Sequence, residues 1–162
     1  MAFADWLAKH KAEPSIIQCV GDMTPQAAWR ACGRPDRMLW LLAKTTWKEN
    51  TRRRQKVEDL SARWVGRVRV EAVRNSGKEL VAEAARYSEV LIEHETECER
   101  EIWTAFHIVE MVAGAIAERE KPDGSWGSNF NAYCAAYAQM ADDVRREWPC
   151  VPKPCRRLGG YT

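Results

Sequence analysis

Residues 24–44 read TPQAAWRACGRPDRMLWLLAK, and this stretch decides the fold because it contains one helix, a corner and a second helix. Thr24 and Pro25 form a typical helix start, with a hydroxyl N-cap followed by proline in the first helical position. We expect Gly33 to end this helix in the left-handed conformation, and Asp36 to cap the helix that follows. The stretch therefore predicts a helical hairpin.

Tryptophan is unusually frequent in this chain, which has eight. We expect the side chains of Trp29, Cys32 and Trp40 to face one another across the corner of the hairpin. Tryptophan combines a large apolar area with a polar N–H group, so it suits a binding face or a core position at the edge of which solvent is present. The tryptophan-rich hairpin 29–47 is therefore placed at the centre of the structure.

Apolar residues at helical spacing predict further helices outside the hairpin. The expected elements are a short helix at 3–11, a long helix from Asn50 or Thr51 to about Arg74, helical segments from Lys78 to Ile92 and from about Glu95 to Glu120, a loop at 121–125, and a last helix from Ser128 or Asn129 to Trp148. The polar stretch 93–101 is either a bend or a continuous exposed helix, and no period-2 pattern predicts a strand. The sequence thus predicts an all-α fold, a single compact bundle of about six helices over residues 1–149, followed by an irregular or disordered tail at 150–162.

Charge is unevenly distributed along the chain, although the net charge is only +2. From Thr51 to Arg74 there are eight Lys or Arg and three acidic residues, whereas from Glu83 to Glu101 there are seven Glu and two Arg. Two segments of opposite sign could lie against each other, or each could face a different partner.

The basic residues of the predicted helix 51–74 recur at spacings of four, seven, four and seven. At ~100° per residue they fall within a stripe about 60° wide. Such a stripe could hold an acidic protein surface, a phosphate backbone or a small anionic nucleotide, or it could be a solvated flank neutralised by the Glu-rich segment. The low net charge and the lack of a recognition motif favour a protein partner. The predicted partner-binding residues are Arg52, Lys56, Arg63, Arg67, Arg74, Glu93 and Glu97.

Catalytic residues are not predicted. Nucleophilic catalysis needs a base beside the nucleophile and a third group that orients it, and the three histidines lie in no such signature. His94 and Cys98 share a helix face and could ligate zinc with help from Glu101 or His107, but a surface histidine and an ordinary thiol are the simpler interpretation. The sequence therefore predicts a binding protein without an active site, metal or cofactor.

The chain has no run of ~20 apolar residues that could span a membrane, and its first residues lack the pattern of a signal peptide. We therefore expect a cytoplasmic protein with no membrane partner. In a reducing compartment its six cysteines should be free thiols. Cys150 and Cys155 are close enough in sequence to bridge under oxidation.

Two blocks, residues 24–44 and 139–149, resemble a bacterial family of putative immunity proteins. Members show an Ala-Trp-x-x-Cys helix, a short Arg/Gly/Asp corner, a helix reading Leu-Trp-Leu-Leu, and a closing helix of the form Ala-Asp-x-Val-Arg-x-x-x-Pro. Here Arg34-Pro-Asp36 replaces the more usual Arg-Gly-Asp corner. Similar sequences also suit bacteriophage genomes, where a small inhibitor of a host defence protein would be equally natural.

The resemblance implies an all-α fold and a role in neutralising a toxin from a competing cell. The expected function is thus a small non-catalytic inhibitor of a toxin or of a host defence factor, inside a bacterial cell or a phage-infected host. The alternative is a sponge-like binder of a nucleotide or nucleic acid through the basic stripe of helix 51–74. The oligomeric state stays open, and a homodimer is one option.

Overall fold

The computed structural model describes residues 1–45, 50–67, 86, 97–120 and 126–153. Its helices in these ranges are α1 (Phe3–Lys9), α2 (Pro14–Val20), α3 (Pro25–Ala31), α4 (Pro35–Thr45), α5 (Thr51–Gly66), α6 (Glu97–Ala117) and α7 (Phe130–Glu147). Two three-residue strands, β1 (Glu118–Glu120) and β2 (Trp126–Ser128), pair antiparallel. The helices pack on one another, and the all-α prediction is confirmed.

Side-chain caps set three of the helix starts. The side-chain oxygens of Thr24, Asn50 and Asn129 each accept a hydrogen bond from the backbone N–H three residues further on, at 3.2, 3.0 and 3.2 Å. The start predicted at Thr24 is therefore confirmed. Where the sequence left two possible caps, Asn50 or Thr51 and Ser128 or Asn129, the asparagine is the cap in both cases. Each such cap contributes about 1 kcal/mol to stability.

The corner between α3 and α4 differs from the prediction. Helix α3 ends at Ala31, and Cys32 after it has extended backbone with φ −68° and ψ 112°. Gly33 does not have the positive φ expected of it. Arg34 directly precedes Pro35, and the residue before a proline avoids helical backbone, so the chain stays non-helical until α4 begins at Pro35.

Asp36 lies inside the first turn of α4 and does not cap it, because the helix begins one residue earlier at Pro35. Proline suits that first position because its φ is already helical. The N–H that proline lacks would have no partner within the helix at this position. The Asp36 carboxylate instead accepts two hydrogen bonds from Arg34, at 2.9 Å from Nε and 2.7 Å from Nη2. This bidentate pair fixes the corner in place.

Several predicted boundaries were wrong. Helix α5 ends at Gly66 rather than near Arg74, with the Arg67 N–H donating to the Trp64 carbonyl at 3.0 Å in the tightened turn common at helix ends. Residues 118–120 form a strand although helix was expected to Glu120; three residues are too few to show an alternating pattern. Helix α2 was not predicted, and Pro14 begins it.

Other predicted features lie outside the described residues. These are Trp47 at the end of the hairpin, the segment from Lys78 to Ile92 apart from Arg86, the loop 121–125 and most of the tail. Of the stretch 93–101, the part from Glu97 onward is helical. Residues 150–153 have no regular structure.

Helix α6 forms the centre of the packing, because it contacts α4, α5 and α7. In α5, Val57, Leu60 and Trp64 follow helical spacing and are fully buried. The largest fully buried side chains include Trp6, Trp64, Met38, Leu42, Ile108 and Met140. Burying one large aliphatic side chain contributes roughly 1.5–3 kcal/mol, so this core holds α1 and α4 to α5–α7.

Gly21, which ends α2, has φ 47° and ψ −123°, a conformation that L side chains rarely adopt. We expect Gly21→Ala to lower the free energy of unfolding by about 1–3 kcal/mol, because the strain of the backbone remains even though the added methyl group meets no close neighbour. Gly33→Ala is the matched control: its φ is ordinary and nothing lies within 4 Å of the new methyl group. Urea unfolding checks both, and equal losses would contradict the assignment of strain to Gly21.

Candidate protein-binding site

The predicted basic stripe on α5 faces α7. Lys56 Nζ donates to the Glu147 carbonyl oxygen at 2.9 Å and lies 3.5 Å from Glu147 Oε2. Arg63 Nη2 donates to Glu147 Oε1 at 3.0 Å, and Arg67 Nη2 donates to Asp143 Oδ2 at 2.6 Å. We call these contacts the α5–α7 charge seam. Three of the predicted partner-binding cations therefore bind carboxylates of their own chain.

The other predicted site residues are not brought to this seam by any contact the structure describes. Arg52 is exposed at the start of α5. Glu97 is the first residue of α6, with its side chain outside the described part. Arg74 and Glu93 lie outside the described residues altogether.

Asp143 is the buried centre of the charge seam, with 1 % of its surface exposed. Its carboxylate accepts hydrogen bonds from Trp64 Nε1 at 3.0 Å, from Arg67, and from Arg146 Nη1 at 3.1 Å. A buried charge is tolerated when it is paired and fully hydrogen-bonded, which is the arrangement found here. The seam is therefore a structural joint between α5 and α7.

A different surface has the shape of a binding site. Two adjoining cavities of about 60 and 80 Å³ open between α2 and α4. Ile16, Arg37 and Trp40 line both of them, and we call the combined feature the Trp40 groove. The first cavity is apolar, with Phe3 and Val20 among its walls, whereas charged residues enter the second.

Arg37 lies where the two cavities meet. Its Nη2 donates to the Ser15 hydroxyl at 3.2 Å. Among the described residues no carboxylate lies within ion-pair distance of this guanidinium. Arginine carries five N–H donors in a planar fork, so most of that fork stays available to an anionic ligand.

Around the groove, positively charged side chains outnumber negatively charged ones. Lys11 lines the second cavity, and Lys44 Nζ lies 6.0 Å from the centre of the Trp40 ring. Two acidic residues, Asp36 and Glu13, line the second cavity. Arg34 neutralises Asp36, whereas Glu13 forms no salt bridge with any described residue. The groove therefore carries an excess of positive charge.

Cys32 lines the apolar cavity together with Trp29 and Trp40, so the three side chains expected to meet across the corner share one cavity. Burial raises the pKa of the Cys32 thiol above its usual range, and the thiol donates to the Arg34 carbonyl oxygen at 3.4 Å. A protonated thiol is a poor nucleophile. Cys32 therefore contributes to the shape of the cavity.

A second polar cluster joins the corner before α4 to α6 and α7. The hydroxyls of Tyr133 and Tyr137 donate to the two carboxylate oxygens of Glu110, and the tyrosine rings stack with their centres 4.9 Å apart. The Arg34 guanidinium lies 5.1 Å from the centre of the Tyr137 ring. Burial, followed by the hydrogen bond to Glu110, raises the pKa of Tyr137.

This raised pKa predicts a loss of stability in alkali. Below about pH 10, the usual tyrosine pKa, Tyr137 is protonated in both the folded and the unfolded chain. Above it the unfolded chain releases a proton that the folded chain keeps, so stability falls as pH rises. We expect the urea midpoint of the native protein to fall more between pH 9 and pH 11 than that of Tyr137→Phe. Equal falls in the two proteins would contradict the coupling of this hydroxyl to folding.

Metal and membrane sites have no support in the described part of the chain. There, no three His, Cys, Asp or Glu residues lie together as ligands of a metal ion. His94 and the Cys98 side chain, which the sequence suggested as ligands, lie outside that part. No described helix is both long and apolar enough to cross a membrane.

The residues of the Trp40 groove were missed at the sequence level. Trp40, which is expected to face Trp29 and Cys32 across the corner, is only half-buried. Arg37 belongs to no sequence motif that indicates a binding role. Pro14 followed by Ile16 and Ile17 is a signal for α2, because proline favours a first helical position and the isoleucines mark an inward face.

Comparisons of the chain with protein-family models, with curated proteins and with solved structures found no match. In the structure, the two blocks that carry the resemblance to immunity proteins touch each other. Trp29 Nε1 donates to the Trp148 carbonyl oxygen at 2.9 Å, and Arg145 Nη1 donates to the carbonyl oxygen of Cys32. Both blocks thus belong to one packing unit, in which α3 is held against the end of α7.

Proposed function

We propose that this protein is a small non-catalytic inhibitor that acts by binding another protein, in toxin immunity or in phage counter-defence. The observation that carries the proposal is the Trp40 groove, where an apolar cavity adjoins a guanidinium with no carboxylate partner in the described structure. Tryptophan and arginine are the side chains that contribute most often to the centres of protein interfaces.

The contacts of the basic stripe favour this proposal over the nucleotide or nucleic-acid alternative. A phosphate backbone needs cations that are free to exchange their counterions. Lys56, Arg63 and Arg67 already bind Asp143 and Glu147. A nucleic acid would have to displace two carboxylates, one of them buried, before it could use these side chains.

The test combines capture with a functional assay. The tagged protein is incubated with bacterial and phage-infected lysates, and bound proteins are identified by mass spectrometry. We expect one partner to be enriched in a fixed molar ratio, to arrest growth when expressed alone, and to lose that effect when this protein is co-expressed. No reproducible partner, or a partner whose activity is unchanged by co-expression, would contradict the proposal. Recovery of a nucleotide that elutes with salt would favour the alternative.

A further inference from the structure

We propose that the Trp40 groove recognises an acidic protein segment that presents an apolar side chain together with a nearby carboxylate side chain. This inference rests on the proposed function, because it names the chemistry of the partner. The two cavities share Ile16, Arg37 and Trp40, so a ligand that fills the apolar cavity ends beside the Arg37 guanidinium.

The apolar cavity accounts for the first half of this pattern. Phe3, Leu7 and Val20 line it from α1 and α2, and Trp29 and Met38 close it from α3 and α4. Its volume is about 60 Å³, and its mainly hydrocarbon lining suits an apolar side chain. A polar group placed there would lose its water without gaining a partner, since most of the lining is hydrocarbon.

The Arg37 guanidinium accounts for the second half. Its described hydrogen bond goes to the neutral Ser15 hydroxyl, which an incoming carboxylate could join or replace. Arginine binds carboxylates through two parallel N–H···O bonds, which fix orientation as well as adding energy. A carboxylate near the buried apolar side chain would therefore be held in a defined orientation.

The surrounding charge favours an acidic partner. Lys11 and Lys44 outnumber the single carboxylate of Glu13 at the groove, and the Arg34–Asp36 pair is neutral as a unit. A cationic surface attracts acidic proteins before contact and repels basic ones. The half-buried Trp40 ring adds apolar area beside these cations, which suits a peptide better than a free anion.

The probe is the capped peptide acetyl-Gly-Leu-Glu-Gly-amide, titrated into the ¹⁵N-labelled full-length protein. We expect saturable shifts of the Trp40 indole N–H and the Arg37 Nε–H signals, with a dissociation constant of about 1 mM, which is ~4 kcal/mol of binding free energy. Peptides with Gln in place of Glu, or Gly in place of Leu, should bind at least about tenfold more weakly, a difference of ~1.4 kcal/mol each.

Two variants and a control assign the binding to the groove. Arg37→Gln should abolish the preference for Glu over Gln, and Ala28→Leu, which fills the apolar cavity, should abolish the preference for Leu over Gly. Arg30→Gln removes an equally charged but exposed side chain of α3 outside both cavities, and it should bind like the native protein. Circular dichroism confirms that each variant is folded.

The outcomes separate this inference from the proposed function. Equal shifts with all three peptides, or a preference for Glu that survives Arg37→Gln, would overturn the groove proposal even if a partner protein is captured. A captured partner that binds Arg37→Gln and Arg30→Gln equally well would overturn it too. Failure to capture any partner would instead remove the proposed function, while the titration still decides whether the groove prefers a Leu-Glu pair.

Discussion

Asp143→Asn is expected to lower the free energy of unfolding by about 2–3 kcal/mol, because a buried carboxylate loses hydrogen bonds that its charge strengthens. Asp143 is 1 % exposed and accepts hydrogen bonds from Trp64, Arg67 and Arg146. The amide oxygen can accept from at most two of these donors, the amide N–H₂ group would face the third, and the side chain carries no charge. For a chain of this length the melting temperature should fall by roughly 10 °C.

Asp142→Asn is the matched control, since it makes the same change one residue earlier on α7. The Asp142 side chain is 64 % exposed and pairs with Arg145 on its own helix. Exposed pairs of this kind contribute about 0.3–0.5 kcal/mol. Similar losses in the two variants would mean that the α5–α7 charge seam does not hold the helices together, whereas a loss confined to Asp143→Asn supports it.

Trp6→Ala is expected to remove about 3–5 kcal/mol of stability, the usual effect of truncating a fully buried tryptophan. The Trp6 side chain has 0 % of its surface exposed and stacks on the His10 ring with the ring centres 3.9 Å apart. The short helix α1 holds few other large side chains against the core. When α1 loses this packing, the wall of the Trp40 groove that Phe3 and Leu7 form should also open.

Trp40→Ala provides the comparison, because it makes the same substitution at a half-buried tryptophan. Its effect on the free energy of unfolding should be about half as large, since less apolar area leaves contact with the core. Thermal unfolding followed by circular dichroism ranks the two variants. A larger loss for Trp40→Ala would contradict the assignment of Trp6 to the core and of Trp40 to the groove.

Local chemistry explains which parts of the fold were predictable. Thr24 acts as a cap because its hydroxyl and the N–H it binds are three residues apart, so no distant contact is needed. The spacing of Val57, Leu60 and Trp64 likewise predicts an inward face without reference to the rest of the chain. Starts and faces of helices could therefore be predicted.

Contacts between distant segments explain what was missed. The sequence placed Lys56, Arg63 and Arg67 on one face of a helix, but whether they meet a partner or Asp143 depends on how α7 lies, and the Arg67–Asp143 pair spans 76 residues. The corner was misjudged because glycine permits a left-handed turn without requiring it, and because Pro35 rather than Asp36 marks the start of α4. The Trp40 groove requires α1, α2, α3, α4 and Phe106 of α6 together, so no single segment indicates it.

The hydrogen bond from Trp29 to the Trp148 carbonyl also bears on how the chain folds as it is made. It joins residues 119 apart, and Gln26 donates to the Pro149 carbonyl across 123 residues. Such non-local closure slows folding relative to helical proteins whose contacts are mostly local. At ~5–20 residues per second, a nascent chain holds its exposed Trp29 for roughly 6–24 s before the ribosome has added Trp148. During that interval the α3–α4 segment needs protection from aggregation, and synthesis rate becomes a determinant of yield.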